Sequence, residues 1–289
     1  MRKSIGRLLI KTAYNVTKPL LYALPGGRSL ASNLYNAMTM ESEKWLEVHG
    51  YPILVNVQDY GLGTLLYLKA IYAPAREARI ATLVKEGDTV IDVGANIGYF
   101  TLFLRSLVGA SGKVYAFEPD PRNFNLLKKT VEHNGWTNVV AEQMAVANRN
   151  GKLTLYQGRE WTGNSLTPNN FVERTEVRVT TLDNYLPNIE NVSLIKMDTD
   201  GSEPLAIDGS KGIISRSPTI TVIAEYEPGN VKRYMRKPYE KYVRVIQEAG
   251  LTVHEIYHVD GVYVLTYAGL ANMQDDDAVD LVMGRKVDD

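Results

Sequence analysis

The sequence predicts an α/β protein with a mostly parallel, doubly wound sheet. Three observations carry that prediction. Short apolar runs recur at Thr89–Val93, Lys113–Phe117 and Val192–Met197, the first broken only by Asp92. Helically spaced segments lie between the earlier runs, and a glycine turn, Gly94 to Gly98, follows the first run directly. Apolar runs of this length suit strands buried on both faces, and their alternation with helices calls for parallel crossovers.

The elements follow in order. Tyr51 to Val57 reads as a strand and Asp59-Tyr60-Gly61 as the turn after it; residues 30 to 80 are otherwise the least legible. Ala75 to Val84 reads as a helix. The regular pattern begins at Thr89: strand, the helix Tyr99 to Val108, strand, and the helix Pro121 to Asn134. Asp120 is placed to cap that last helix, with Pro121 at its first position. Val139 to Ala141 opens a third strand. Leu153 to Tyr156 and Glu176 to Val179 are two more, separated by a polar segment, Gln157 to Thr175, too long for a tight turn. Val192 to Met197 (strand), Glu203 to Ser210 (helix), Thr219 to Ala224 (strand) and Tyr239 to Ala249 (helix) follow. Thr252 to Ile256 and Val262 to Tyr267, joined at Asp260-Gly261, read as a closing antiparallel hairpin.

This divides the chain into a basic amphipathic helical extension (1–45), a lead-in packed on the core (46–88), a catalytic domain (89–270) and an acidic tail (271–289). The extension has no Asp or Glu before Glu41, and Ile5, Leu9, Ala13, Val16 and Leu20 share a helical face. It is either a helix packed on its own domain or a peripheral contact with a membrane through residues 1–24, which would place the protein in the cytoplasm, on the inner face of the membrane. Pro19 ends or kinks that helix, and no run approaches a spanning length. The formal net charge is −1 and 45% of residues are apolar, as in an ordinary soluble domain. There is no cysteine, which excludes disulfides, thiolate metal sites and cysteine nucleophiles.

The chemistry concentrates at the strand ends. In Asp92-Val93-Gly94-Ala95-Asn96-Ile97-Gly98-Tyr99 a buried strand turns into a helix, whose N-terminal N–H groups suit a carboxylate or phosphate. Phe117-Glu118-Pro119 ends the next strand about 20 residues on, where a carboxylate accepts the two ribose hydroxyls of an adenosine. Glycine turn and carboxylate are common to dinucleotide enzymes and methyl-transfer enzymes. The spacing Gly94-x-Asn96-x-Gly98 is not the G-x-G-x-x-G of the pyrophosphate fingerprint, and a closing hairpin departs from an all-parallel dinucleotide sheet.

These motifs resemble the FkbM family of S-adenosylmethionine-dependent methyltransferases over roughly residues 75 to 267. Asp92 to Gly98 and Phe117-Glu118-Pro119 resemble its first two motifs, and Ala145-Val146 with Gly151 its third strand and following turn. Thr181-Leu182-Asp183 resembles the segment before its fourth core strand, and Lys196-Met197-Asp198-Thr199-Asp200-Gly201-Ser202-Glu203 its most specific stretch. Asp200 stands where the family commonly has Glu. The resemblance implies a Rossmann-like class I methyltransferase fold, a seven-stranded sheet with an antiparallel closing hairpin. It also implies O-methylation of sugar or other alcohol hydroxyls, in a glycan, glycolipid or natural product.

On this reading Asp92, Gly94, Ala95, Asn96, Gly98, Tyr99, Glu118 and Pro119 surround the donor, Met144 and Ala145 flank its adenine, and Asp198 orients its amine or acts as base. Lys196, Asp200 and Glu225 complete the catalytic set. Two or three of these carboxylates could hold a divalent metal instead, which is not favoured. Asp200 to Glu203 also has the spacing of a capping box, which would give Asp200 and Glu203 a purely helical role. Arg159, Trp161, Asn164 and Ser165 are candidates for the acceptor. A nucleic-acid methyltransferase is less favoured, because the Asn/Asp-Pro-Pro-aromatic motif of amino-base methylation is absent. A dehydrogenase and a non-catalytic nucleotide-binding protein are the remaining alternatives.

Overall fold

The computed structural model describes residues 41–285 apart from 60, 70–71, 158–172, 259–266 and 276. The basic N-terminal extension and the acceptor candidates Arg159, Trp161, Asn164 and Ser165 lie outside the described residues.

An antiparallel pair opens the described chain: β1 (Glu43–Val48) and β2 (Tyr51–Asn56). Its two-residue turn, His49-Gly50, has positive φ at both positions, the tight geometry that matches strand twist. The buried carboxylate of Asp59 then accepts the backbone N–H groups of Gly61, Gly63 and Thr64, so it caps the helix α1 (Leu62–Lys69). Helix α2 (Pro74–Leu83) follows.

The central sheet is built from β3 (Thr89–Val93), β4 (Lys113–Phe117), β5 (Val139–Glu142), β9 (Val192–Met197), β10 (Thr221–Tyr226), β11 (Leu251–His258) and β12 (Val279–Arg285). Its order is β11-β12-β10-β9-β3-β4-β5. β3, β4, β5, β9 and β10 pair in parallel, and β12 runs antiparallel to both its neighbours. A smaller sheet, β6 (Ala145–Val146), β8 (Glu173–Thr180) and β7 (Gly151–Gln157), lies beyond β5 in sequence. The helices are α3 (Tyr99–Val108), α4 (Pro121–His133), α5 (Leu182–Tyr185), α6 (Glu203–Asp208), α7 (Lys211–Arg216), α8 (Pro228–Val231), α9 (Pro238–Glu248) and α10 (Tyr267–Leu270). As expected, Asp120 caps α4, accepting from Arg122 N at 2.7 Å.

Side chains alternate across the sheet, so each strand feeds two cores. Ile91, Val93, Ile195 and Met197 enter one. Val90, Leu194, Ile223 and Val282 enter the other, with Leu102 and Leu104 of α3. By the same alternation Asp92, Lys196, Glu225 and Asp280 extend the second face, where α2 and α3 cover it.

Two expectations are corrected here. The antiparallel closure exists, but β11 pairs with Val279–Arg285 rather than with Val262 to Tyr267. Residues 262–266 lie outside the described set, and Tyr267 begins α10. The stretch expected as an acidic tail after residue 270 therefore supplies an interior strand between β10 and β11. Its run Val279, Leu281, Val282, Met283 is buried, and that apolar burial outweighs the aspartates around it.

Candidate active site

The C-terminal ends of β3, β4, β9 and β10 border a cleft of about 520 Å³. Its walls include Gly94, Ala95, Asn96, Tyr99, Glu118, Pro119, Met144, Ala145, Lys196, Asp198, Asp200 and Glu225. Twelve residues singled out in the sequence thus meet in one place. This is the crevice position that ligands take in open α/β sheets.

The glycine turn is shaped by the protein itself. Gly94 has φ +74°, and a Cβ there would lie 1.8 Å from the carbonyl oxygen of Asp198. Gly98 has φ +94°, and its Cβ would meet Leu127 Cδ1 at 2.7 Å. The turn's donors are also engaged. Gly94 N and Ala95 N both donate to Phe117 O, Gly98 N donates to Ala95 O, and Ile97 N donates to its neighbour Asn96 Oδ1. Asn96 N donates to Glu118 Oε2 at 2.7 Å. The N–H groups of residues 94–98 are therefore all engaged within the protein. Gly98 serves packing against α4 and does not line the cleft.

Glu118 is buried at the end of β4, where its second oxygen accepts Asp120 N at 2.8 Å. Burial pushes its carboxyl up to about 8, although the N–H groups of Asp120 and Asn96 and the Lys196 charge pull the other way.

Asp92 does not reach the cleft. It stands opposite Lys196 in the β3–β9 register, fully buried. Oδ2 accepts from Thr101 Oγ1 at 2.7 Å, and Oδ1 lies 3.1 Å from Lys196 Nζ. Lys196 also donates to Gly94 O at 3.1 Å and lies 3.9 Å from Asp198 Oδ2. Its ammonium joins β3 to β9 while also lining the cleft. Asp92 lies beneath the site and does not reach the donor contact expected of it.

Asp200 and Glu203 depart from a simple capping box. Ser202 is the residue before α6, and its side chain makes no cap bond. Glu203 Oε1 instead reaches back to Thr199 N at 2.6 Å and Gly201 N at 3.3 Å, which shapes the loop after β9. Asp200 sits at φ +52°, half-buried on the cleft wall. Burial, and then the neighbouring acids led by Asp198, hold its carboxyl well above the ordinary range.

The residue that sequence reasoning missed is Arg76. From the first turn of α2 it enters the acidic end of the sheet. Its Nε and Nη2 grip Asp280 at 2.7 and 2.6 Å, Nη1 reaches Asp198 at 2.6 Å, and Nη2 lies 3.3 Å from Glu225. The guanidinium carbon stands 5.6 Å from the Phe100 ring centroid. Among the described residues these carboxylates gather around a guanidinium, and no group of three or more His, Asp or Glu is placed to hold a metal. Burial would raise Asp198, but the Lys196 and Arg76 charges outweigh it and hold the carboxyl below its ordinary value. Glu225 goes the other way: burial and the nearby Asp198 hold it well above, against the pull of Arg76. The two acids at this cation are therefore shifted in opposite directions. Tyr72, Leu155, Thr199 and Glu227 also line the cleft without having been foreseen.

A parallel sheet with one antiparallel strand second from its edge, and a buried carboxylate at the end of β4 bonded to the glycine turn after β3, define a class I methyltransferase fold. The methyltransferase FkbM domain model matches residues 92–249, and the chain belongs to that family. Methyltransferase 1 of Beauveria bassiana (strain ARSEF 2860) is 27% identical over 137 residues, which is 39% of this chain and 55% of that one. A protein-L-isoaspartate O-methyltransferase of Methanococcoides burtonii is 35% identical over 75 residues, 25% of this chain and 37% of the relative. The chain thus spans about half, or less, of the length of these relatives. Among solved structures, Aeropyrum pernix fibrillarin in complex with S-adenosyl-L-methionine is similar at a TM-score of 0.45 and 13% identity, over 83% of this chain and 82% of that one. Among the described residues no helix is long and apolar enough to cross a membrane.

Proposed function

We propose that the protein is an S-adenosylmethionine-dependent O-methyltransferase acting on a hydroxyl of a sugar, glycan or glycolipid. The observation that carries the reading is Glu225, a carboxyl of raised proton affinity on the wall of the cleft that also holds Glu118 and Asp198. Family membership supports methyl transfer; the hydroxyl acceptor is the further step.

The residues present fit the donor. Glu118 would take the ribose, Gly94 to Asn96 and Asp198 the amino-acid arm, and Met144, Ala145 and Phe117 the adenine. When bound, the donor supplies an activated methyl group, and the sulfur keeps the electron pair of the broken S–C bond. Glu225, once ionised, accepts the acceptor's hydroxyl proton as the new O–C bond forms; its raised proton affinity makes it a stronger base than an ordinary carboxylate. Alignment of the reacting atoms supplies much of the rate. The carboxylates that a divalent ion would need surround Arg76 instead, so no step is routed through a metal.

Transfer of a labelled methyl group into extracts of the source cell, with mass spectrometry of the product, tests this. Label on an oxygen of a carbohydrate is the expected result. Label on nitrogen or carbon, or in nucleic acid or protein, overturns it. Peripheral membrane contact through residues 1–24 is part of the same proposal. Full-length protein should float with anionic liposomes and protein starting at residue 31 should not; equal flotation removes the contact.

A further inference from the structure

The family match ends at residues 92 and 249, yet the charge network of the cleft is completed from outside it on both sides. Arg76 comes from the helix before the match and Asp280 from the strand after it. Nothing in the local sequence asks for an arginine at 76. A cation in the first turn of a helix faces the positive end of the macrodipole, so α2 alone would favour an acid there. Glu225 and Asp280 are direct partners in the β10–β12 register, two acids side by side at one end of the sheet. The guanidinium bridges the two and reaches Asp198 with its remaining arm.

We propose that Arg76 is a positioning residue for the methyl donor: it fixes the Asp198 carboxylate in place to receive the α-ammonium group of the donor's amino-acid arm. This rests on the donor reading above. The groups facing Asp198 are Lys196 on β9, Arg76 on α2, Tyr72 just before that helix, Glu225 on β10, Asp280 on β12, and Asp200 and Glu203 on the following loop and helix. Of the two cations, Lys196 is spread over Asp92, Gly94 O and a 3.9 Å approach to Asp198, whereas Arg76 bonds Asp198 at 2.6 Å. Arg76 is thus the closer and more specific counter-ion.

The test separates arm recognition from general damage. Binding of S-adenosylhomocysteine is compared with that of methylthioadenosine, which has the same nucleoside but lacks the amino-acid arm, in wild-type protein, Arg76→Lys, Arg76→Gln and Asp198→Asn. Both ligands use Glu118, so their affinity ratio cancels its titration. Arg76→Lys keeps the charge and loses the fork, which guards against a variant that does not fold. The expected result is a loss of about tenfold or more in S-adenosylhomocysteine affinity with methylthioadenosine changed less than threefold, as for one charge-assisted hydrogen bond. Arg76→Lys should cost little more on the Asp198→Asn background. Parallel weakening of both ligands, or no weakening, overturns the role of Arg76 alone. Failure of the wild-type protein to bind either nucleoside overturns the donor reading and this proposal with it.

Discussion

Lys196 and Asp92 face each other across the β3–β9 ladder with their charges 3.1 Å apart, both buried at the base of the cleft. Removing one partner of such a pair leaves the other as an uncompensated interior charge. Lys196→Met should therefore cost about 3–5 kcal/mol of stability, read by chemical denaturation. Adding Asp92→Asn should recover part of that loss. If the double variant is less stable than Lys196→Met, the two residues are not acting as a pair.

The two glycines of the turn should differ. Gly94→Ala drives a methyl group into the Asp198 carbonyl, a backbone atom that cannot move without shifting β9, and should cost about 3 kcal/mol or more. Gly98→Ala meets the end of the Leu127 side chain, which can rotate, and should cost about 1–2 kcal/mol. Denaturation midpoints check the order, and a larger loss at Gly98 contradicts it.

Glu118 predicts proton release on nucleoside binding. Its carboxyl, at about 8 in the free protein, is mostly protonated at pH 7. Ribose hydroxyls donate to the ionised form, so binding lowers the proton affinity and expels a proton. Affinity for S-adenosylhomocysteine should then rise with pH up to about 8, by at most about tenfold per unit, and flatten above. Calorimetry in buffers of different ionisation enthalpy measures the release directly. Glu118→Gln should weaken binding and abolish the proton release.

Glu225→Gln keeps the shape of the cleft and removes the base. Methyl transfer should fall by roughly a hundred- to ten-thousand-fold, while the S-adenosylhomocysteine dissociation constant stays within about threefold. A rate close to wild type would move the base elsewhere, with Asp200 the next acid on the cleft wall.

A chain ending at residue 270 should fail to fold cooperatively, whereas one ending at residue 285 should behave as the full chain does. Circular dichroism and size-exclusion chromatography decide this. Without β12 the edges of β10 and β11 lose their partner, and Arg76 loses the Asp280 end of its fork. Full stability of the shorter chain would return residues 271–289 to the role of a tail.

Local pattern was enough for much of the molecule. The strands Thr89–Val93, Lys113–Phe117 and Val192–Met197 and the helix Tyr99–Val108 lie where the apolar spacing put them, because a strand buried on both faces has no option but a continuous apolar run. The His49-Gly50 turn hid the first hairpin, since the common Asn-Gly or Asp-Gly cue is missing. At the other end, aspartates masked the strand Val279–Arg285, because solvation of a charged run and pairing of a sheet strand look alike until the neighbours are known.

What the amino-acid sequence determined by itself was the order of the main strands from β3 to β10, the family, and the meeting of a glycine turn with Glu118 and Asp198 at the strand ends, all of which follow from residues close along the chain or from fixed strand periodicity. Only the tertiary structure decided the charge state of the cleft. Arg76 and Asp280 are 204 residues apart and yet share one fork, and the ionisation of Asp198 and Glu225 depends on that shared cation. Coulomb interactions and desolvation act through space, and no local pattern in the chain records them.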